Sequence, residues 1–240
     1  MKVLVIPDVH LKPWMFERAS EIMQSKVADR AVCLMDIPDD WRMSQRIEAY
    51  EETFDSAIRF QKNYPDTLWC YGNHDLSYVW MKEESGFSYD AADTVVKKIN
   101  ELKSVLPDEK QLQYIHKIDK VLFMHGGLTK PFVKYYAADI YEDTDAVICK
   151  INSMGCEDLW DNASPIWYRP QYGRESMYKS EELLQVVGHT PVIAAGKCGE
   201  HRSVLSCDVF STYRSGGPLG NQKFPIVDTE TKDYSVTDRA

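Results

Sequence analysis

The sequence predicts an α/β protein, a two-sheet β-sandwich flanked by helices. Three observations point there. Short apolar runs alternate with amphipathic stretches through the first half. The second half is richer in strand signals separated by Gly and Pro turns. Most of the apolar runs stop abruptly at Asp, Asn, His or Gly, as buried strands do when they feed loops at one edge of a sheet.

The chain opens MKVLVIPDVH, a β-branched apolar run halted at Pro7, with Asp8 and His10 two apart and so on one side of extended backbone. Residues 14–29 carry Phe16, Ala19, Ile22 and Met23 at helical spacing. A second strand follows at 30–35 and ends at Asp36, then a helix at 46–62 with Ile47, Tyr50, Phe54, Ala57 and Ile58 on one face. Residues 67–71 form a third strand, broken by Gly72-Asn73-His74-Asp75, and 90–106 a third helix. Residues 114–118 and 121–124 read as a hairpin around Asp119-Lys120, leading to His125-Gly126-Gly127. Beyond it, helices are expected near 135–140 and 145–154. The segment 181–187 runs into Gly188-His189-Thr190-Pro191, and strands are expected at 204–210 and 225–228. No repeat, heptad or internal domain boundary is visible, so residues 1–240 read as a single domain.

Composition bounds the function. The 28 basic and 37 acidic residues leave a net charge of −9, which argues against a dedicated nucleic-acid-binding surface, since phosphate backbones select basic patches. Phosphate-bearing substrates stay open, because bound divalent cations invert the local field. The six cysteines form no CxxC pair, and Cys33, Cys70 and Cys207 lie in apolar runs, as small buried hydrophobes do. With no N-terminal apolar h-region and no long apolar segment, the expectation is a reduced, cytoplasmic protein without a membrane span. Cys198 and His201 have CxxH spacing with Cys207 nearby, but a zinc site there lacks an evident fourth ligand.

The chemistry-bearing residues collect where the apolar runs end: Asp8 and His10, Asp36, Asn73 and His74, His125, and His189. In α/β sheets the carboxyl edge is where loops converge on ligands. Of the six histidines, only His116 and His201 fall elsewhere. Carboxylate, amide and imidazole donors without thiolate suit Mn²⁺, Fe or Zn²⁺.

The succession D-x-H, Asp, G-N-H-D, H-G-G and G-H-T-P resembles the calcineurin-like metallophosphoesterases. Within them it is most similar to bacterial members of the serine/threonine phosphoprotein phosphatase type, a group that includes symmetrical dinucleoside tetraphosphatases. The resemblance runs from residue 1 to about 230. It implies the family's sandwich fold and two divalent metal ions, Mn²⁺ foremost with Fe or Zn²⁺ as alternatives. Asp8, His10 and Asp36 would hold the first ion, Asp36 would bridge, and Asn73, His125 and His189 would hold the second. Two cations about 3.5–4 Å apart clamp the attacking and leaving oxygens of an in-line displacement and lower the pKa of a shared water. The resemblance makes His74 the general acid and Asp39 the carboxylate that orients it. Residues 128–180 would face the substrate.

Two positions depart from the family pattern. Met35 stands where a glycine usually precedes the bridging aspartate, and Asp40 stands where a phosphate-gripping arginine follows the Asp39 position. Arg42 is a candidate replacement, and Arg169, in the segment Trp167-Tyr168-Arg169, is a candidate second phosphate clamp. On this reading an Asp40→Arg variant should gain activity on phosphomonoesters. The function implied is hydrolysis of a phosphorylated substrate by metal-activated hydroxide. The substrate is a phosphoprotein (Ser/Thr or Tyr) or a small phosphomonoester, with dinucleoside polyphosphates of the Ap4A type or other nucleotides as an alternative. A non-catalytic metal-binding scaffold is the competing class. Hydrolysis of p-nitrophenyl phosphate with and without Mn²⁺ separates the two.

Overall fold

In β1 (Lys2–Ile6) the side chains divide by parity. Val3 and Val5 enter one hydrophobic layer, Leu4 and Ile6 another. The structure, a computed structural model, describes residues 1–237. After β1 come α1 (Trp14–Gln24), β2 (Arg30–Cys33), α2 (Ile47–Asn63), β3 (Leu68–Cys70), α3 (Asn73–Val79), α4 (Ala92–Ser104), β4 (Leu112–Gln113), β5 (Ile115–Ile118) and β6 (Val121–Met124). The second half adds α5 (Lys130–Tyr136), α6 (Thr144–Asn152), α7 (Cys156–Leu159), β7 (Leu184–Val187), β8 (Gly196–Cys198), β9 (Val204–Ser206), β10 (Pro225–Asp228) and β11 (Tyr234–Val236).

Two mixed sheets result. The first has the order β11-β10-β1-β2-β3-β4, parallel from β1 to β4, with β10 antiparallel to β1 in the register Lys2↔Asp228. The second has the order β5-β6-β7-β9-β8, parallel across β6, β7 and β9. Val3, Val5, Val32, Leu34, Leu68 and Cys70 of the first sheet meet Val121, Phe123, Leu184, Val186, Leu205 and Cys207 of the second in a dry layer. Each fully buried Val or Leu there contributes about 1.5–3 kcal/mol. On the outer face of the first sheet, α2 packs against α1 and α4, and Phe16 of α1 meets Phe60 and Trp69 at 5.9 Å each. This is the α/β two-sheet sandwich flanked by helices that the alternation of runs predicts. No helix of the described residues is long and apolar enough to cross a membrane.

Element bounds differ from the sequence reading where local polar bonds end a run. The helix expected over 14–29 stops at Gln24, with the Ser25 N–H donating back to Glu21 and Ile22. The strand expected over 204–210 ends at Ser206, because the Asp208 carboxylate turns the chain by accepting from the N–H and the hydroxyl of Ser211. The helix expected at 135–140 is α5, ending at Tyr136, followed by a 3₁₀ turn at Ala138–Ile140. The short elements β4, β8, β11, α3 and α7 carry too few residues for a periodic signal. Cys33, Cys70 and Cys207 are buried, as their apolar runs predict.

Candidate metal centre

The parallel strands deliver their loops to one edge, and the backbone there is tightly bent. His10, Asp36, Asp39 and His189 all have left-handed φ, between 42° and 65°. Two glycines make the approach possible. A Cβ on Gly72 would fall 2.0 Å from Asp36 Oδ1, and one on Gly188 the same distance from Asp8 Oδ1. The glycines flanking Asn73 and His189 are therefore space for carboxylates.

Asp36 lies at the centre. Its Oδ2 is 3.1 Å from His125 Nε2 and 3.9 Å from His10 Nε2, and its Oδ1 accepts from the His74 N–H at 2.9 Å. Asp36, His125 and His189 form one cluster of potential ligands, and His10, Asp36 and His74 another, sharing Asp36. Asp8 Oδ2 accepts from the His189 N–H at 2.7 Å and lies 3.9 Å from His125 Nε2. Asn73 Oδ1 is 3.0 Å from the same nitrogen.

Backbone carbonyls set the tautomers. His10 Nδ1 lies 2.8 Å from the Asp39 carbonyl and His125 Nδ1 lies 3.0 Å from that of Leu34. A carbonyl only accepts, so each Nδ1 carries a proton and each Nε2 is turned to the cluster. His125 Nε2 thus confronts three oxygens, from Asp36, Asn73 and Asp8, that are themselves acceptors. A cation belongs among them. Burial disfavours a charged imidazole at His125, yet the Asp36 and Asp8 charges push its pKa up to about 9. A divalent ion would replace that proton. Two further buried ligand-type atoms, Asp8 Oδ1 and His189 Nε2, have no hydrogen-bond partner among the described residues, which fits the same group. Burial and then the Asp208 charge raise Asp8, while burial, His125 and Arg169 hold His189 well below its usual value. Asp36 resists burial and stays far below the ordinary carboxylate range, through His125, His74 and His10.

His74 is engaged differently. Its Nδ1 lies 2.9 Å from Asp39 Oδ2, and its Nε2 lies 2.7 Å from Glu84 Oε1. Burial works against its charge, but Asp36, Asp39 and Glu84 raise it well above the ordinary histidine value. Asp39 is itself fixed by the hydroxyls of Tyr50 at 2.9 Å and Tyr78 at 2.5 Å, both donating to Oδ1.

Arg42 and Arg169 both line a cavity of about 470 Å³ over this cluster, together with His10, Asp36, Asn73, His74 and His189. Arg169 Nη1 donates to the His189 carbonyl at 2.5 Å and to Thr190 Oγ1 at 3.3 Å, so the guanidinium braces the loop of a candidate ligand. Of residues 128–180, Arg169 alone lines this cavity among the described residues. Asp40 accepts from Lys12 Nζ at 3.1 Å and from Thr212 Oγ1 at 2.5 Å. Lys12 is buried, so an arginine at position 40 would leave it without its counter-charge. The gain expected of Asp40→Arg is therefore not expected from the structure. Cys198 and His201 join none of the potential ligand clusters found among the described residues.

Three residues were not singled out from sequence. Asp75 accepts from the N–H groups of Asp36 at 2.8 Å, Gly72 at 3.0 Å and Ile37 at 3.2 Å, tying together the two loops that carry the candidate ligands Asp36 and Asn73. Burial and the Asp36 charge push it up to about 7. Asp208 is buried and lines the cavity, and Glu84 lies against His74. The strand-end rule that picks Asp8 and Asp36 would also pick Asp208 once β9 is cut at Ser206.

No curated protein sequence matches the chain. Among solved structures it is similar to a cold-active protein-tyrosine phosphatase of a psychrophilic Shewanella, at 17% identity and TM-score 0.52, over 99% of this chain and 80% of that one. A protein serine/threonine phosphatase from Saccharomyces cerevisiae is similar at 13% identity and TM-score 0.53, over 100% and 80%. Both likenesses concern the fold. The model of the calcineurin-like phosphoesterase family matches residues 1–214, most of the chain. The chain therefore belongs to the calcineurin-like phosphoesterases, hydrolases acting on phosphate esters.

Proposed function

We propose that the protein is a two-metal phosphatase acting on phosphomonoesters, carried by a protein or by a small molecule. Asp8, His10 and Asp36 would hold one divalent ion, with Mn²⁺, Fe and Zn²⁺ all suited to the donors. Asp36, Asn73, His125 and His189 would hold the other. When bound, the ions would supply Lewis acidity toward the phosphoryl oxygens and an acidified water. The observation that carries the reading is the ring of acceptors around His125 Nε2, which calls for a cation where Asp36 is shared between two ligand clusters.

The chain's own groups divide the remaining work. Arg42, Arg169 and Arg214 line the cavity and would oppose the phosphoryl charge, where a planar guanidinium can meet two oxygens at once. His74, with Nδ1 fixed on Asp39, presents Nε2 to the cavity and would protonate the departing oxygen. Asp39 orients that imidazole and is held in turn by Tyr50 and Tyr78.

The test pairs elemental analysis with hydrolysis of p-nitrophenyl phosphate. The expected result is about two divalent ions per chain, turnover that depends on added Mn²⁺, and a loss of about 10²–10⁴-fold in His74→Asn. Metal binding with wild type and His74→Asn equally inert would make the protein a scaffold instead.

A further inference from the structure

We propose that Glu84 selects the leaving group by charge, favouring phosphate esters of a hydroxyl flanked by a cation, such as a basic phosphopeptide, over anionic polyphosphate leaving groups. The proposal rests on the phosphoesterase reading and deepens it.

Glu84 is not a loose surface acid. Its side chain is 10% exposed, lines the catalytic cavity, and places Oε1 2.7 Å from His74 Nε2. Among the described residues that buried oxygen makes no hydrogen bond of good geometry, and no lysine or arginine pairs with Glu84. The loop that carries it is fastened on both sides. The Lys82 N–H donates to the Ser77 carbonyl at 2.8 Å, the Ser88 N–H donates to Tyr78 Oη at 2.8 Å, and the Ser88 hydroxyl donates to the Ser44 carbonyl. Gly86, at φ 102°, lets the loop settle on the pair it covers. A Cβ there would sit 3.4 Å from Asp39 Cβ and 3.6 Å from His74 Cε1. Tyr78 therefore joins the loop to Asp39, the carboxylate that orients His74.

Hydrolysis forms a bond from a water oxygen to phosphorus and breaks the bond to the leaving oxygen, which takes the His74 Nε2 proton. The water's proton leaves with the phosphate product or to solvent, and His74 is reprotonated from solvent. For that transfer the leaving oxygen must come within about 2.6–3.2 Å of Nε2, in place of or beside Glu84 Oε1. The rest of the leaving group then lies against a carboxylate. A neutral or cationic group is accepted there, while a polyphosphate tail meets like charge in a partly desolvated cleft. The arginines that line the cavity serve the transferred phosphoryl group, and Glu84 serves the other side of the scissile bond.

The experiment measures kcat/KM of the metal-loaded full chain on two substrates, a phosphoserine peptide flanked by arginines and inorganic tripolyphosphate. Glu84→Gln should raise the tripolyphosphate-to-peptide ratio by about tenfold, and Glu84→Lys should raise it further, because each step removes repulsion from one substrate and attraction from the other. A purely structural role would lower both rates and leave the ratio unchanged. That outcome overturns the proposal while the phosphoesterase reading stands. A wild-type chain shown to hold metal yet inert on both substrates overturns the proposal, and only if it is inert on p-nitrophenyl phosphate as well does the phosphoesterase reading fall with it.

Discussion

Two buried histidines lie one strand apart in the second sheet and differ in almost every chemical respect. His116 on β5 faces Phe123 of β6 in register, and His125 stands just past the end of β6. Each has a ring nitrogen on backbone carbonyls. For His116 it is Nε2, 3.0 Å from the Trp69 oxygen and 3.1 Å from that of Gln111. For His125 it is Nδ1, on Leu34. Burial drives His116 down to about 4, whereas His125, no less buried, is carried up to about 9 by Asp36 and Asp8. Burial alone makes a neutral structural imidazole. What turns a buried histidine into a candidate ligand is the set of oxygens its second nitrogen faces.

The sharpest way to break this comparison is to remove each ring. His125→Asn should lose bound metal and drop p-nitrophenyl phosphate turnover by about 10²–10⁴-fold, since Lewis-acid stabilisation supplies several kcal/mol of the barrier. His116→Gln, which keeps an N–H donor, should retain metal content and kcat at pH 7. Equal losses in both variants would mean that position in the sheet, and not the facing carboxylates, decides the outcome.

A middle case extends the comparison to His74, whose charge is also favoured by acids against burial. In the proposed role of general acid it must be protonated, so activity should fall as pH rises through its folded pKa, which lies above the ordinary 6.5. Asp39→Asn removes one of the raising interactions, so the alkaline limb of the rate profile should move to lower pH. Turnover at neutral pH should fall by about 10–100-fold, the range seen when an orienting partner is lost. An unmoved limb in a full pH–rate profile would show that Asp39 does not set the His74 charge.

These contrasts explain what the sequence could and could not disclose. Asp8, His10, Asp36, Asn73, His125 and His189 are legible because each follows an apolar run, and a strand that stops at a polar residue points to a sheet edge. Tyr50 reads as core from helical spacing, and Tyr78 lies on a helix too short to give a periodic signal. Both are core by their rings, but their hydroxyls reach Asp39 across the fold, which no local pattern encodes. Asp75 acts by receiving backbone N–H groups, a role that depends on where two loops meet. Glu84 sits in a polar loop ten residues beyond His74 with nothing in its neighbours to mark it. Asp208 was hidden by apolar neighbours that extended the apparent strand past its true end. The Asp40 position carries its own lesson, since Lys12, 28 residues earlier, is what gives that carboxylate its place.

The smallest effect at neutral pH belongs to His116, and it grows on acidification. Its folded pKa of about 4 lies below the unfolded value near 6.5, because burial penalises the imidazolium more than the two carbonyls favour it. The unfolded chain therefore binds the proton first. The contribution of the neutral ring is fully present above pH 6.5 and is lost progressively as pH falls to about 4. The gap of about 2.5 units corresponds to roughly 3 kcal/mol. Urea unfolding in the presence of a chelator, at pH 7 and pH 4.5, should show wild type losing stability more steeply than His116→Gln. Acid protonation of the Asp36 cluster is common to both chains and cancels in the difference. Parallel losses in the two chains would place the acid sensitivity elsewhere and remove His116 as the neutral counterpart of His125.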